Sequence, residues 1–356
     1  MDTSGIATRI RCATGPQVLA AAATGVIELI ETLGGDPDRV FGQTRLRPDW
    51  LENPFNELNL KQYCELFERA ATETRHDNFG LHFGQRFRPQ QLGALGYLAI
   101  NSPTMAAALA NLTKYFTAHQ QNSTLTVRND GDLIGLEYQI TDGAIAHRRQ
   151  DAELSLGMFC NVFRHCHGQH WAPVEVHFEH PHPAETKEHE QAFGAPVFFG
   201  QRTNSIIFRR ADLAGVMPSP DPYLLTLLAP FMRDRQAAAG TDDLVGLVRQ
   251  RIQAQLAEGS PNIRKVADEL GMTSWTLYRR LREHQVSFNE LVRDARREMA
   301  LRYVAQPHLA LTEVALMLGY SELSAFSRAF RQWTGVAPAR YRRESVRQHG
   351  APAEDN

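Results

Sequence analysis

The sequence predicts two domains, an α+β domain in which helices surround a small, mostly antiparallel sheet, followed by an all-α domain. Three observations carry this reading. At 356 residues the chain exceeds one ordinary domain. Alternating strand-like runs occur only before about residue 215. A helical unit repeats between residues 263 and 330.

The composition suits folded domains, with 43% hydrophobic and 22% charged residues. No run of about 18 apolar residues spans a membrane, and "MDTSGIATRIRCATGPQ" lacks the apolar core of a signal peptide. A cytoplasmic location without membrane contact is therefore expected. The cysteines Cys12, Cys64, Cys160 and Cys166 form no C-x-x-C pair and read as reduced thiols.

Residues 1–15 read as a flexible N-terminus, and 16–215 as the first domain. "PQVLAAAATGVIELIETL" predicts a helix over 16–33. Asn59 caps a second, with Leu60, Tyr63, Leu66, Phe67 and Ala70 on one face to about His76. Ser102 and Pro103 open a third through "TMAAALANLTKYF". Two alternating runs around Asn129, Asp130, Gly131 and Asp132 predict a hairpin. A helix over 151–167, a strand over 174–178, a short helix and a strand over 205–208 follow. "MPSPDP" then breaks the chain, and 216–240 reads as a linker ending in an amphipathic helix.

From 241 to 345 every period is helical, and this segment carries 16 Lys and Arg against 12 Asp and Glu. All but Lys265 of these cations are arginine, the side chain shaped for bidentate contact with phosphate or guanine. Residues 346–356 read as a flexible tail.

The repeat pairs "IRKVADELGMTSWTLYRRL" (263–281) with "LTEVALMLGYSELSAFSRAF" (311–330). Val266, Ala267, Leu270 and Gly271 match Val314, Ala315, Leu318 and Gly319. Each glycine supplies a positive φ that ends one helix, and Thr273 or Ser321 is expected to cap the next. This is a helix-turn-helix, whose second helix enters a DNA major groove. Between the copies Ser287 and Glu290 form a capping box for a helix that stops before Pro307, a strut of roughly 25 Å at 1.5 Å per residue. The all-α domain is thus two helix-turn-helix units joined by a long helix.

Residues 241–345 resemble the DNA-binding domain of AraC family bacterial transcription regulators, most closely through "GYSELSAFSRAFRQWTGVAPARYR" (319–342). The first domain resembles one branch's arabinose-binding-like sensor through "LGALGYLAINSPTMAAAL" (92–109) and "FGAPVFFGQRTNSIIF" (193–208). The resemblance implies a sequence-specific regulator, usually an effector-responsive activator. It makes 16–215 an effector-sensing and dimerisation domain, with double-stranded DNA, RNA polymerase, a small-molecule effector and a second copy as partners. It places Trp275, Tyr278 and Arg279 in the groove.

The helical period adds Ser274 and Arg282 to that outward face, with recognition helices near 274–283 and 322–332. Arg279 can read guanine, Trp275 can touch a thymine methyl, and Arg282 suits phosphate. On the second helix Glu322, Leu323, Ser324, Ser327 and Arg328 point outward, whereas Phe326, Phe330 and Trp333 read as core. Glu322 fits a helix-dipole partner better than a cytosine reader, and Leu323 puts apolar contact in place of hydrogen-bond readout.

No G-x-S-x-G, P-loop, G-x-G-x-x-G or H-E-x-x-H occurs, so neither an enzyme nor a cofactor is expected. An anionic effector would be met by Arg86, Arg88, Arg148 and Arg149, beside Tyr97, Tyr115 and Phe116. An unliganded dimerisation domain is the alternative.

Seven of the fourteen histidines crowd 165–190. On a helix through Cys160 to His170, Cys166 and His170 share a face, and with His180 they are the first candidates for a metal. The spacing of zinc modules is absent, however. Turn and helix-end positions in a connector are the stronger reading, and should these histidines act, pH sensitivity or effector contact is expected at least as much as coordination.

Overall fold

Asn59 ends an extended segment and starts a helix with its own side chain, its Oδ1 accepting from the Gln62 amide. That junction organises the start of the first unit in the computed structural model, which describes residues 15–183, 186–242, 244–258, 261–283, 286–304 and 309–349. Cys12 and most of the expected flexible ends lie outside the described residues. The chain divides into two units, Met1–Thr241 and Asp242–Asn356.

In the first unit β1 (Gln17–Leu19) precedes a 3-10 turn at Ala20–Ala23, α1 (Val26–Thr32) and α2 (Pro37–Gly42). The single helix expected over 16–33 is therefore wrong. Gln17–Leu19 pair antiparallel with β2 (Glu57–Asn59), and the amides of Ala20 and Ala21 donate to the carbonyls of Asn56 and Pro54. Amides committed to a distant segment cannot continue a helical ladder. Gly25, at φ 92°, then turns the chain into α1.

Helices α3 (Leu60–Thr74), α4 (Phe79–Arg86), α5 (Ala94–Ile100) and α6 (Met105–His119) follow. Thr104 caps α6 by accepting from the Ala107 amide, which displaces the expected start at Ser102 and Pro103 by two residues. The hairpin strands β3 (Ser123–Asp130) and β4 (Leu133–Ile140) are joined through Gly131, at φ 58°, and Asp132. Then come α7 (Arg149–His167), β5 (Glu175–His177), α8 (Lys187–Phe193), β6 (Val197–Phe198) and β7 (Asn204–Arg209). The five strands lie in the order β3-β4-β7-β5-β6, antiparallel except for β5 with β6.

Helix α7 runs through the core, with Leu154, Leu156, Cys160, Val162 and Phe163 all buried. It packs on α4 at backbone distance: a Cβ on Gly84 would stand 2.6 Å from the Leu154 carbonyl oxygen. Asn161 fastens the far end of α4 by donating to the carbonyls of Gly84, Gln85 and Phe87. After the proline-rich break, α9 (Pro222–Asp242) lies on the same unit, where Met232 is buried and Arg235 pairs with Glu57 at 3.0 Å.

The second unit is all helix: α10 (Leu244–Glu258), α11 (Ile263–Glu269), α12 (Ser274–Glu283), α13 (Phe288–Val304), α14 (Leu311–Met317), α15 (Leu323–Thr334) and α16 (Pro338–His349). Its core gathers Val248, Ile252, Val266, Leu277, Leu281, Leu291, Val314, Leu318, Phe326 and Phe330. Helix α16 continues to His349, into the stretch read from sequence as a tail.

Candidate nucleic-acid interface

The two repeat copies close their first helices with the same turn. Gly271 has φ 68° and Gly319 φ 77°. Just beyond each, the Met272 amide donates to the Ala267 carbonyl at 3.0 Å and the Tyr320 amide to the Ala315 carbonyl at 2.9 Å. These 6→1 bonds satisfy carbonyls that a helix end would otherwise leave open. Ala267 and Ala315 are buried, as close helix crossing requires.

The second helices start differently. Thr273 Oγ1 accepts from the Thr276 amide at 3.1 Å and caps α12. The expected cap by Ser321 fails. The residue before α15 is Glu322, which makes no side-chain cap bond; instead its Oε2 accepts from the Ser324 hydroxyl at 3.0 Å. One extra residue in the second copy moves the serine out of capping position. The capping box ahead of α13 is complete: Ser287 Oγ accepts from the Glu290 amide, and the Glu290 carboxylate accepts from the Ser287 amide.

Helix α12 sorts its side chains cleanly. Leu277 and Leu281 are at most 1% exposed, whereas Trp275 is 69% and Tyr278 57% exposed. Both aromatic residues therefore stand in solvent beside buried neighbours on the same helix. The Arg279 guanidinium lies over the Trp275 ring, 5.1 Å from its centroid, and 3.7 Å from the Glu283 carboxylate. Stacking and ion pairing hold the guanidinium on the outer face while leaving it exposed. Ser274 is half-buried at the helix start, and Arg282 is exposed one turn beyond Tyr278.

On α15 the exposed set is Glu322, Leu323, Ser324 and Arg328, with Ser327 half-buried. Phe326 and Phe330 are fully buried and Trp333 packs against them. Sequence reasoning missed Leu316 of α14, which is 65% exposed. Its position beside the buried Ala315 gave no signal, since one exposed leucine is ordinary in a helix.

A family model described as the arabinose-binding domain of AraC transcription regulators, N-terminal, matches residues 34–216, and a helix-turn-helix domain model matches 266–344. The chain belongs to the AraC family of transcription regulators. Among AraC-type relatives, the regulator VirS of Mycobacterium tuberculosis is 27% identical over 92% of this chain and 97% of its own. The ornithine utilization regulator of Pseudomonas aeruginosa is 26% identical over 92% and 97%. The crystal structure of the regulator CdpR from Pseudomonas aeruginosa covers 86% of this chain and 96% of its own, at 22% identity and a TM-score of 0.43. The protein is a DNA-binding transcription regulator with an N-terminal sensor domain. No helix among the described residues is long and apolar enough to cross a membrane.

The cations considered for an effector in this AraC-type sensor do not come together. Arg86 ends α4 and Arg88 follows it, both exposed. Arg148 and Arg149 begin α7 at the other end of α4, where both bind carboxylates. Arg148 donates to Glu179 at 2.9 Å and to the Ile140 carbonyl. Arg149 donates to Glu153, Asp77 and Asn78 at 2.8, 2.8 and 2.6 Å. Tyr97 is 42% exposed, whereas Tyr115 and Phe116 are buried.

The histidine segment also departs from expectation. Helix α7 stops at His167 with Gly168 as its cap, so Cys166 and His170 do not share a helical face. Glycine at φ 96° ends the helix before His170 can join it. His180 and His182 each turn Nδ1 toward the carbonyl of the following proline. Among the described residues no group of three His, Cys, Asp or Glu side chains is placed to hold a metal ion. His189 is fully buried instead, bonded to Glu153 at 2.9 Å.

Proposed function

We propose that this regulator is an effector-responsive activator that reads DNA bases chiefly through α12, grips a second major-groove segment through α15, and contacts RNA polymerase. The exposed Trp275, Tyr278 and Arg279 above the buried Leu277 and Leu281 carry this reading. Arg279 reads guanine, Trp275 meets a thymine methyl, Ser274 helps to seat the helix start, and Arg282 holds phosphate. On α15, Ser324, Ser327 and Arg328 supply the polar contacts, while Leu323 gives apolar contact and Glu322 steadies the helix start. The sensor domain binds a small molecule in the cytoplasm and supports a homodimer. It carries out no catalysis and needs no cofactor.

Arg279→Ala is expected to weaken operator binding by about 1–3 kcal/mol and relax the preference at one base. Arg282→Ala weakens operator and scrambled DNA alike and lowers the salt slope by about one. Titrations on both DNAs at several salt concentrations separate the two roles. Equal losses on both DNAs for Arg279→Ala overturn its assignment as a base reader.

The effector is sought by thermal shift of the full chain against metabolites and divalent metals. Ornithine, which appears in the name of one relative, belongs in that screen. A ligand at about 100 times its dissociation constant adds roughly 2.7 kcal/mol to the unit that binds it. Uniform silence across metabolites supports the unliganded dimerisation domain instead.

A further inference from the structure

Strand β3 stands at one end of the five-stranded sheet, with β4 its only strand partner among the described residues. The turn through Gly131 and Asp132 decides which of its backbone groups are used. In a hairpin closed by two residues the flanking pair, Asp130 and Leu133, exchanges both hydrogen bonds, so the even-numbered residues of β3 bond to β4. Just before the strand the same phase holds: the Asn122 carbonyl accepts from the Thr141 amide beyond β4, whereas the Gln121 amide points away, to the Gln17 carbonyl. Ser123, Leu125, Val127 and Asn129 therefore turn their N–H and C=O groups outward. Among the described residues no backbone group of another segment bonds to them.

Sheet edges are ordinarily blunted by lysine, proline or a bulge. Strand β3 contains neither residue, and its register with β4 runs unbroken from Ser123 opposite Ile140 to Asp130 opposite Leu133. Its one cation does not guard the edge: Arg128 is turned back on its own hairpin, 2.8 Å from Glu137 and 3.2 Å from Asp130. Val127 is 38% exposed although Leu136, its partner in β4, is fully buried.

We propose that β3 pairs antiparallel with β3 of a second copy about a two-fold axis at Thr126, an inference that rests on the homodimer reading above and names its surface. The backbone phase selects this register. Outward groups bond only where odd residues meet odd residues, and an axis at Thr126 pairs all four, Ser123 with Asn129 and Leu125 with Val127, each way round. About eight hydrogen bonds then close the edge. The side chains fit the same register. Val127 meets Leu125 of the second copy on the core face, while on the other face Thr126 meets its own copy and Arg128 meets Thr124, so no like charges oppose. A ladder of this length is small for a specific interface, so a dissociation constant on the order of 10 μM is expected.

Sedimentation velocity of the full chain without DNA, from about 1 to 100 μM, tests this. The wild type is expected to pass from monomer to dimer across that range. Val127→Pro removes an N–H that the hairpin does not use, so it should keep the fold and weaken self-association about tenfold or more. Cysteines then read the register. At Thr126→Cys the two Cα atoms stand about 4.5 Å apart, within disulfide reach, whereas at Arg128→Cys they are more than about 10 Å apart. Mild oxidation should link the first into a covalent dimer and leave the second at the wild-type background. A wild-type chain still monomeric at about 100 μM overturns both the edge pairing and the homodimer reading. A wild-type dimer that Val127→Pro leaves unchanged, or cross-linking of Thr126→Cys no greater than that of Arg128→Cys, overturns the pairing alone. Should Val127→Pro fail to fold, the cysteine variants decide.

Discussion

Asp151→Asn is expected to stabilise the first unit by as much as about 4 kcal/mol at pH 8 and to change it little near pH 4. Asp151 is buried in the first turn of α7, where burial drives its carboxyl up from 3.8 to about 7 against the opposing bond from the Tyr138 hydroxyl and the charge of Arg148. Tyr138 donates to Oδ2 at 2.7 Å, while Oδ1 is buried without a partner. The sign follows from linkage. An acid raised in the folded state contributes stability that is fully present below its unfolded value and is lost as pH rises through about 7. Asparagine keeps an oxygen for Tyr138 and carries no charge, so the difference between variant and wild type isolates this one group from the histidines. Urea unfolding at several pH values measures it, and a difference that does not grow with pH contradicts the buried-acid account.

Phe326→Ala is expected to cost about 3–5 kcal/mol in the second unit, a large share of the stability such a domain has. The ring is fully buried, with Tyr320 and Phe330 at 5.7 and 5.6 Å between centroids. It therefore ties the turn at Gly319 to the helix that follows. Trp275 and Trp333 lie in this unit but Trp50 and Trp171 lie in the first, so hydrogen exchange of amides in α13 and α15, rather than fluorescence, follows its unfolding in urea separately. DNA binding should be lost at temperatures where the wild type still binds. Ser327→Ala, one residue along and outside that ring cluster, should change stability by less than about 0.5 kcal/mol.

The second unit was largely legible in the sequence because its instructions are local. Gly271, Gly319, Thr273 and the Ser287–Glu290 box each act within a few residues of where they stand, and their repetition removes ambiguity. The one local failure, Ser321, came from the inserted residue that hands the helix start to Glu322. The first unit was less legible because distant partners decide its local structure. Ala20 and Ala21 leave the helical ladder for carbonyls more than 30 residues away. The histidines looked like a question about spacing within 165–190, whereas the group that organises His180 and His189 is Glu153, on a helix that begins earlier. The Arg149–Glu153 spacing of four was the only sequence signal pointing there.

The central claim, that two helix-turn-helix units read two successive groove segments, is tested most directly by a hydroxyl-radical footprint of the full chain on its operator. Two protected segments on one face of the duplex, centred about 10 base pairs apart, are expected. A single protected segment would contradict it.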